Sequence, residues 1–184
     1  MSTSVVVAAA RTAIGKFGGA VSSVPAVDLG GVAIEGALKR AGIGTEHVDY
    51  VIMGQVLQAG AGQITARQAA VRAGIPLTTP AITINKVCLS GLNAIALADQ
   101  LIRAGEVSVV VAGGMESMSR APHLLPGARA GFRLGDATLV DALVHDGLWC
   151  AFDGVHMGAG TETYAKAASI SRRAQDELAA RSHE

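Results

Sequence analysis

Residues 83 to 102, TINKVCLSGLNAIALADQLI, join a short β-leaning run to a long apolar run, with a lone cysteine at position 88 between them. Leu92, Ile95, Ala96, Asp99 and Ile102 follow helical spacing, and Ala94, Leu97, Ala98 and Leu101 make the remaining face apolar too. That pattern predicts a buried central helix over residues 91–104, closed by Gly105, which takes the left-handed conformation that ends helices. A cysteine in the first turn of such a helix sits beside unsatisfied backbone N–H groups, which favour an anion by up to about 2 kcal/mol. Burial opposes that effect, so dependable nucleophilicity calls for an additional base, most often histidine. The plainer alternative is that Cys88 is one more small buried hydrophobe.

Working outward, Val5 to Ala10 do not alternate with polar residues, as in a strand covered on both faces. Residues 48–57, 81–84 and 107–112 read the same way. Helical stretches lie between them at 26–41, ended by Gly42, and at 63–73, ended by Gly74 and Pro76. This β-α-β-α-β-α-β order predicts a layered α/β domain with a largely parallel sheet over residues 1–118. From residue 119 to 184 glycines multiply and strand runs thin out, which reads as an excursion over a site. Ser171 is the expected N-cap of a last helix that carries Arg172 and Arg173 in its first turn, against the dipole, and reaches Glu184 with no stop. The chain is therefore expected to end inside an element.

Half of the 184 residues are hydrophobic, and 15 basic side chains balance 15 acidic ones. No broad basic face is available for nucleic acid or an anionic membrane. Charged residues such as Arg11, Asp28 and Arg103 interrupt every candidate for the roughly 20-residue span that a bilayer requires. Cys88 and Cys150 lie in unlike contexts, so free thiols in a reducing, cytoplasmic compartment are the expectation.

NKVCLSGLNAIALADQLI at residues 85–102 resembles the active-site signature of thiolases. VVVAAARTAIGKFGGA at 5–20, VVVAGGMESMSRAPHLLP at 109–126 and HDGLWCAFDGVHMG at 145–158 also resemble thiolase segments, in the family's order. The resemblance implies a thiolase-like layered α-β-α half-fold with a mixed, mostly parallel sheet, followed by part of an inserted loop domain. Cys88 would take an acyl group as a thioester, and its backbone N–H would form half of an oxyanion hole. His156 and Met157 would line the cavity for the thioester end of coenzyme A, and Leu148 would touch the pantetheine arm. The HMG triplet at 156–158 is more similar to that of short-chain acetoacetyl-CoA thiolases than to that of long-chain ones. Coenzyme A is then the carrier of substrate and product, with no tightly bound cofactor and no metal.

The second half of a thiolase supplies a histidine that activates the nucleophile, a second cysteine that moves the α-proton, an asparagine that positions a water and a glycine N–H for the oxyanion hole. None has a counterpart in this sequence, so the isolated chain is expected to be inactive and to bind a complementary C-terminal half, within a homodimer or tetramer. His123 and His145 read as ordinary histidines, Met115 and Met118 as packing, Cys150 as incidental, and Arg129, Arg133 and Lys166 as solvated surface. Gly113-Gly114 would allow a close backbone approach to the catalytic layer. Leu89 stands where many thiolases have a small residue, and Thr163 where asparagine is frequent, which leaves substrate size open. Two rivals remain at this level: a ketosynthase-type condensing enzyme using a carrier-protein pantetheine, and a non-catalytic acyl-CoA-binding or assembly subunit.

Overall fold

The computed structural model describes residues 3–184. The chain divides into two compact units after Leu143. In the first, helix α1 (Ala26–Ala41), strand β1 (Tyr50–Gly54), helix α2 (Thr65–Arg72), strand β2 (Ala81–Ile84), helix α3 (Ser90–Ala104) and strand β3 (Val110–Gly114) follow one another. The three strands form a parallel sheet in the order β2-β1-β3. Gly54 lies beside both Ile84 and Gly114, so all three strands end at one edge.

Connectivity sets the layers. The chain leaves the central strand β1 through α2 to reach β2, then returns across β1 through α3 to reach β3. Right-handed crossovers in opposite directions put the two helices on opposite faces. Residue alternation along β1 agrees. Val51 and Met53 pack with Ile34, Leu38 and the alanines of α2, whereas Ile52 packs with Ala94 and Ala98 of α3. The α-β-α layering expected from the sequence is therefore present. Its α1–α2 side is tight because Gly31 has no side chain: a Cβ there would lie 2.9 Å from the Cβ of Arg72.

Two expectations fail in this unit. Residues 5–10 form no strand; they run beside β3 across a groove of about 200 Å³ lined by Val5 to Val7 on one wall and Val109 to Ala112 on the other. Val5, Val6 and Val7 are 76%, 80% and 69% exposed. The segment is held by helices instead, through Ser4 Oγ to Asp99 of α3 and through Arg40 Nη1 of α1, which donates to the Ala9 carbonyl at 2.6 Å. Held there, it makes no ladder with β3, and the sheet has three strands instead of four.

The second failure concerns α3, which is not buried on all sides. Ala94 and Ala98 meet the sheet, but Leu92 and Ile95 are 63% and 47% exposed. Residues 87–104 have the length and composition of a short membrane span. At about 22 Å, however, the 15-residue α3 falls short of a hydrocarbon core of about 30 Å, and one side of it is seated on the sheet.

Beyond β3 the first unit continues into the two-residue strands β4 (His123–Leu124) and β5 (Val140–Asp141), paired antiparallel, with the residues between them exposed. Regular structure is sparse between β3 and Leu143, and the contacts of the first unit persist to Leu143. The second unit holds a π-helical stretch at Leu143–Leu148, helix α4 (Met157–Ala167) and helix α5 (Arg172–His183). Ser171 caps α5, its Oγ accepting from the Ala174 N–H at 3.2 Å. The two arginines in the first turn are offset by pairs one turn on, Arg172 with Asp176 and Arg173 with Glu177. Helix α4 goes against the local sequence, because MGAGTETYAKA contains two glycines, each costing about 1 kcal/mol in a helix.

The starts of β1 and β3 are tied by Asp49. Its carboxylate accepts from Ser108 N–H at 2.8 Å and Val109 N–H at 2.9 Å, and its own N–H donates to the Val109 carbonyl. These amides hold the Asp49 carboxyl below the ordinary value of 3.8. A depressed carboxyl stabilises the fold above its unfolded value, and that contribution is lost as pH falls through the lower folded value. The Ser108 and Val109 amide resonances should therefore titrate with a midpoint below 3.8, and the transition should vanish in Asp49→Asn. A midpoint at or above 3.8 contradicts this tie.

Candidate active site

Cys88 lies in the turn that carries the chain from β2 into α3, at the carboxyl edge of the parallel sheet, where ligands of α/β folds gather. Helix α3 begins too late for the cysteine to share its first turn, contrary to the sequence expectation. Leu89 is the N-cap and Ser90 the first helical residue, so Cys88 precedes the cap. It is exposed and free. Neither a sealed apolar interior nor a disulfide removes it from chemistry.

The turn is built from its own polar groups. Asn85 Oδ1 accepts the Val87 N–H at 2.9 Å. Ser90 Oγ accepts the Lys86 N–H at 2.7 Å and donates to the Val87 carbonyl at 2.6 Å. Leu89 N–H donates to the Lys86 carbonyl and Ser90 N–H to that of Val87, each at 3.1 Å. Val87 takes a φ of 48°, left-handed and costly for a β-branched residue, at about 1–3 kcal/mol. Hydrogen bonds worth about 1 kcal/mol each, several of them around one residue, are enough to offset that strain.

Close packing fixes where this turn sits. A Cβ on Gly54 at the end of β1 would lie 2.6 Å from the Ser90 Cβ and 2.8 Å from its carbonyl carbon, and one on Gly114 would lie 3.6 Å from the Cα of Gly91. The tight approach is at Gly54, whereas a Cβ on Gly114 would make ordinary contact with Gly91 and one on Gly113 ordinary contact with Met53.

Past β3, Glu116 reaches back over the same edge and accepts from Val56 N–H at 2.8 Å and Leu57 N–H at 3.3 Å. Burial pushes its carboxyl up, and the amides of Val56, Leu57 and Ser117 pull it down by less. Ser117 and Arg120 donate to the carbonyls of Val24 and Ser23. The stretch after β3 therefore braces the edge. Met115 is buried in the core, as read from the sequence, whereas Met118 is half exposed.

The other expected site residues, Leu148, His156 and Met157, belong to the second unit. Trp149 and His156 pair across a tight hairpin in which the Cys150 N–H donates to the Val155 carbonyl at 2.8 Å. Leu148 precedes and Met157 follows that pair in the chain. His156 also caps α4, its Nδ1 accepting from the Gly158 N–H at 3.4 Å, which leaves the ring proton on Nε2. Cys150 has a polar neighbour that its apolar sequence context concealed: Asp153 Oδ2 stands 3.4 Å from its sulfur. His145 pairs with the adjacent Asp146 at 2.7 Å, and Arg129, Arg133 and Lys166 are exposed. Among the described residues no cluster of three His, Cys, Asp or Glu side chains is placed to hold a metal ion.

An exposed cysteine at a strand-to-helix turn on a layered α/β edge is an arrangement suited to covalent acyl chemistry. Residues 4–184 match the family profile "Thiolase, N-terminal domain". The chain is 58% identical over 179 residues to the acetyl-CoA acetyltransferase of Cupriavidus necator, covering 97% of this chain and 46% of that protein. It is 58% identical over 184 residues to a probable acetyl-CoA acetyltransferase of Mycobacterium leprae, covering 100% and 47%. With the acetyl-CoA acetyltransferase of Escherichia coli the identity is 53% over 180 residues, covering 97% and 46%. The chain belongs to the thiolase family, and it spans about half the length of the curated relatives it matches.

Gly54→Ala should destabilise the first unit by about 1–3 kcal/mol, because the added methyl meets backbone that cannot swing away. Urea unfolding followed by circular dichroism measures it. A change below about 0.5 kcal/mol contradicts the packing described here.

Proposed function

We propose that the polypeptide containing these residues transfers acyl groups between coenzyme A thioesters, condensing two acetyl-CoA molecules to acetoacetyl-CoA or running the reverse thiolysis. The observation that carries this reading is Cys88, exposed and free at the carboxyl edge of a thiolase N-terminal domain. The acetyl-CoA acetyltransferase names of its relatives support the substrate class.

In this mechanism the Cys88 thiolate attacks the acetyl-CoA carbonyl, and the Cys88 N–H donates to the oxygen as negative charge develops there. The carbon–sulfur bond to coenzyme A breaks, and the departing thiolate takes up a proton. A base removes an α-proton from a second acetyl-CoA, whose carbanion attacks the acetyl-Cys88 carbonyl. A carbon–carbon bond forms, the Cys88 thioester breaks, and the thiolate is regenerated. His156 and Met157 line the thioester end of the bound coenzyme A and Leu148 the pantetheine arm. Coenzyme A is substrate and product carrier.

Of the catalytic groups, the 184 residues supply the acyl acceptor and one oxyanion donor. The base for Cys88, the α-proton carrier and the second oxyanion donor come from a complementary C-terminal half, against which the open apolar face of α3 around Leu92 and Ile95 is suited to pack. The working assembly is a homodimer or tetramer, and the two free cysteines suit a reducing cytoplasm.

Acetyl-CoA labelled in its acetyl group should acylate Cys88 in the assembled enzyme, as shown by mass spectrometry of the peptide. Cys88→Ser should lower thiolysis of acetoacetyl-CoA by at least about a thousandfold, as loss of a covalent nucleophile does elsewhere. The isolated 184-residue chain should show no Cys88-dependent turnover. Label at another residue, or full activity in Cys88→Ser, removes Cys88 from this role. Turnover by the isolated chain removes the need for a second half.

A further inference from the structure

The geometry points to Ser90 as a positioning residue whose hydroxyl holds Val87 left-handed and thereby aims Cys88, an inference that rests on Cys88 being the acyl acceptor. Ser90 is 4% exposed, and its Oγ uses both of its roles on one short loop, accepting from Lys86 N–H and donating to the Val87 carbonyl. One contact holds the Val87–Cys88 peptide by its carbonyl, and the other holds the Asn85–Lys86 peptide one residue before the strained position. Val87 is one of three non-glycine residues with positive φ among those described, and the next peptide belongs to Cys88.

A branched side chain does not stay left-handed unless its surroundings impose it. Asn85 holds only the N–H side of Val87, so without the Ser90 hydroxyl its carbonyl side keeps one backbone bond, from Ser90 N–H. Relaxation of Val87 to negative φ rotates the following peptide. That turns both the Cys88 sulfur and the Cys88 N–H, so one loss misplaces nucleophile and oxyanion donor together. Ser90 cannot drift to compensate, because Gly54 stands against its Cβ. A threonine has no room for its extra methyl on that side, which makes a glycine in place of Val87 the sharper probe: glycine takes positive φ without steric cost.

The test compares Ser90→Ala, Val87→Gly and the double variant in the full-length, assembled polypeptide, with acetyl-CoA and coenzyme A as substrates. Ser90→Ala should lower kcat about ten- to a hundredfold while KM for acetyl-CoA changes less than about threefold, the pattern of a misaimed reacting group. Val87→Gly alone should stay within about threefold of the parent. In the double variant kcat should recover at least about fivefold over Ser90→Ala, because the substituted glycine no longer needs the clamp. A buried serine that matters only for stability lowers the folded fraction and leaves kcat per folded molecule unchanged, so that kcat shows neither the loss nor the rescue.

A kcat loss below threefold in Ser90→Ala, or a loss that Val87→Gly fails to relieve, overturns the proposal. If Ser90→Ala does not fold, the double variant should fold and turn over, and its failure to do so overturns the proposal too. Acylation of Cys88 by labelled acetyl-CoA in the parent separates the two levels. Its absence sinks the nucleophile itself, whereas its presence with an indifferent Ser90→Ala sinks only the clamp.

Discussion

The arrangement around Cys88 depends on an absence of side chains. Where β1 and β3 end, Gly54 and Gly114 let the first turn of α3 press directly onto strand backbone, and any Cβ at Gly54 would overlap Ser90. The helix cannot be moved outward without losing the contact of Ala94 and Ala98 with Ile52. Helix start, strand ends and the cysteine turn are therefore one packed unit, and the position of the sulfur follows from it. Glu116 completes the edge by tying the chain after β1 to the chain after β3.

This packing changes the electrostatic account of the cysteine. Placement inside the first turn of α3 would have put the helix-end amides next to the sulfur. Placement before the cap instead sets it in a turn closed by the backbone of Lys86 and Val87 and by the Ser90 hydroxyl.

The legible parts of the fold are those governed by local rules. Helix α1 and the end of α3 can be read from apolar spacing and from Gly42 and Gly105, both left-handed as helix stops require. The Ser171 cap is readable for the same reason. Residues 5–10 mislead because an unbroken apolar run reports that both faces want cover, and says nothing of whether a neighbouring strand lies within hydrogen-bonding reach. Helix α4 escapes because its glycines argue against a helix that His156 nevertheless caps. At the site, Cys88 stands out by residue type, whereas Val87 does not. Valine is among the last residues expected at positive φ, and the bonds around it from Asn85 and Ser90 are made between side chains and backbone that no local sequence rule announces.

The apolar surfaces of the first unit fall into two kinds. On the α1 and α2 side, the core of Val51, Met53, Ile34 and Leu38 is closed by the chain itself. On the α3 side Ala94 and Ala98 are closed against Ile52 with Leu97 and Leu101 packed partly beside them, while Leu92 and Ile95 stay 63% and 47% exposed. A helix that leaves such residues open is arranged for a second layer, since each forgoes part of the about 1.5–3 kcal/mol that full burial contributes. That second layer would lie over the helix whose start defines the cysteine turn. Covering α3 would thus close the part of the apolar surface that the chain leaves open on this face of the sheet.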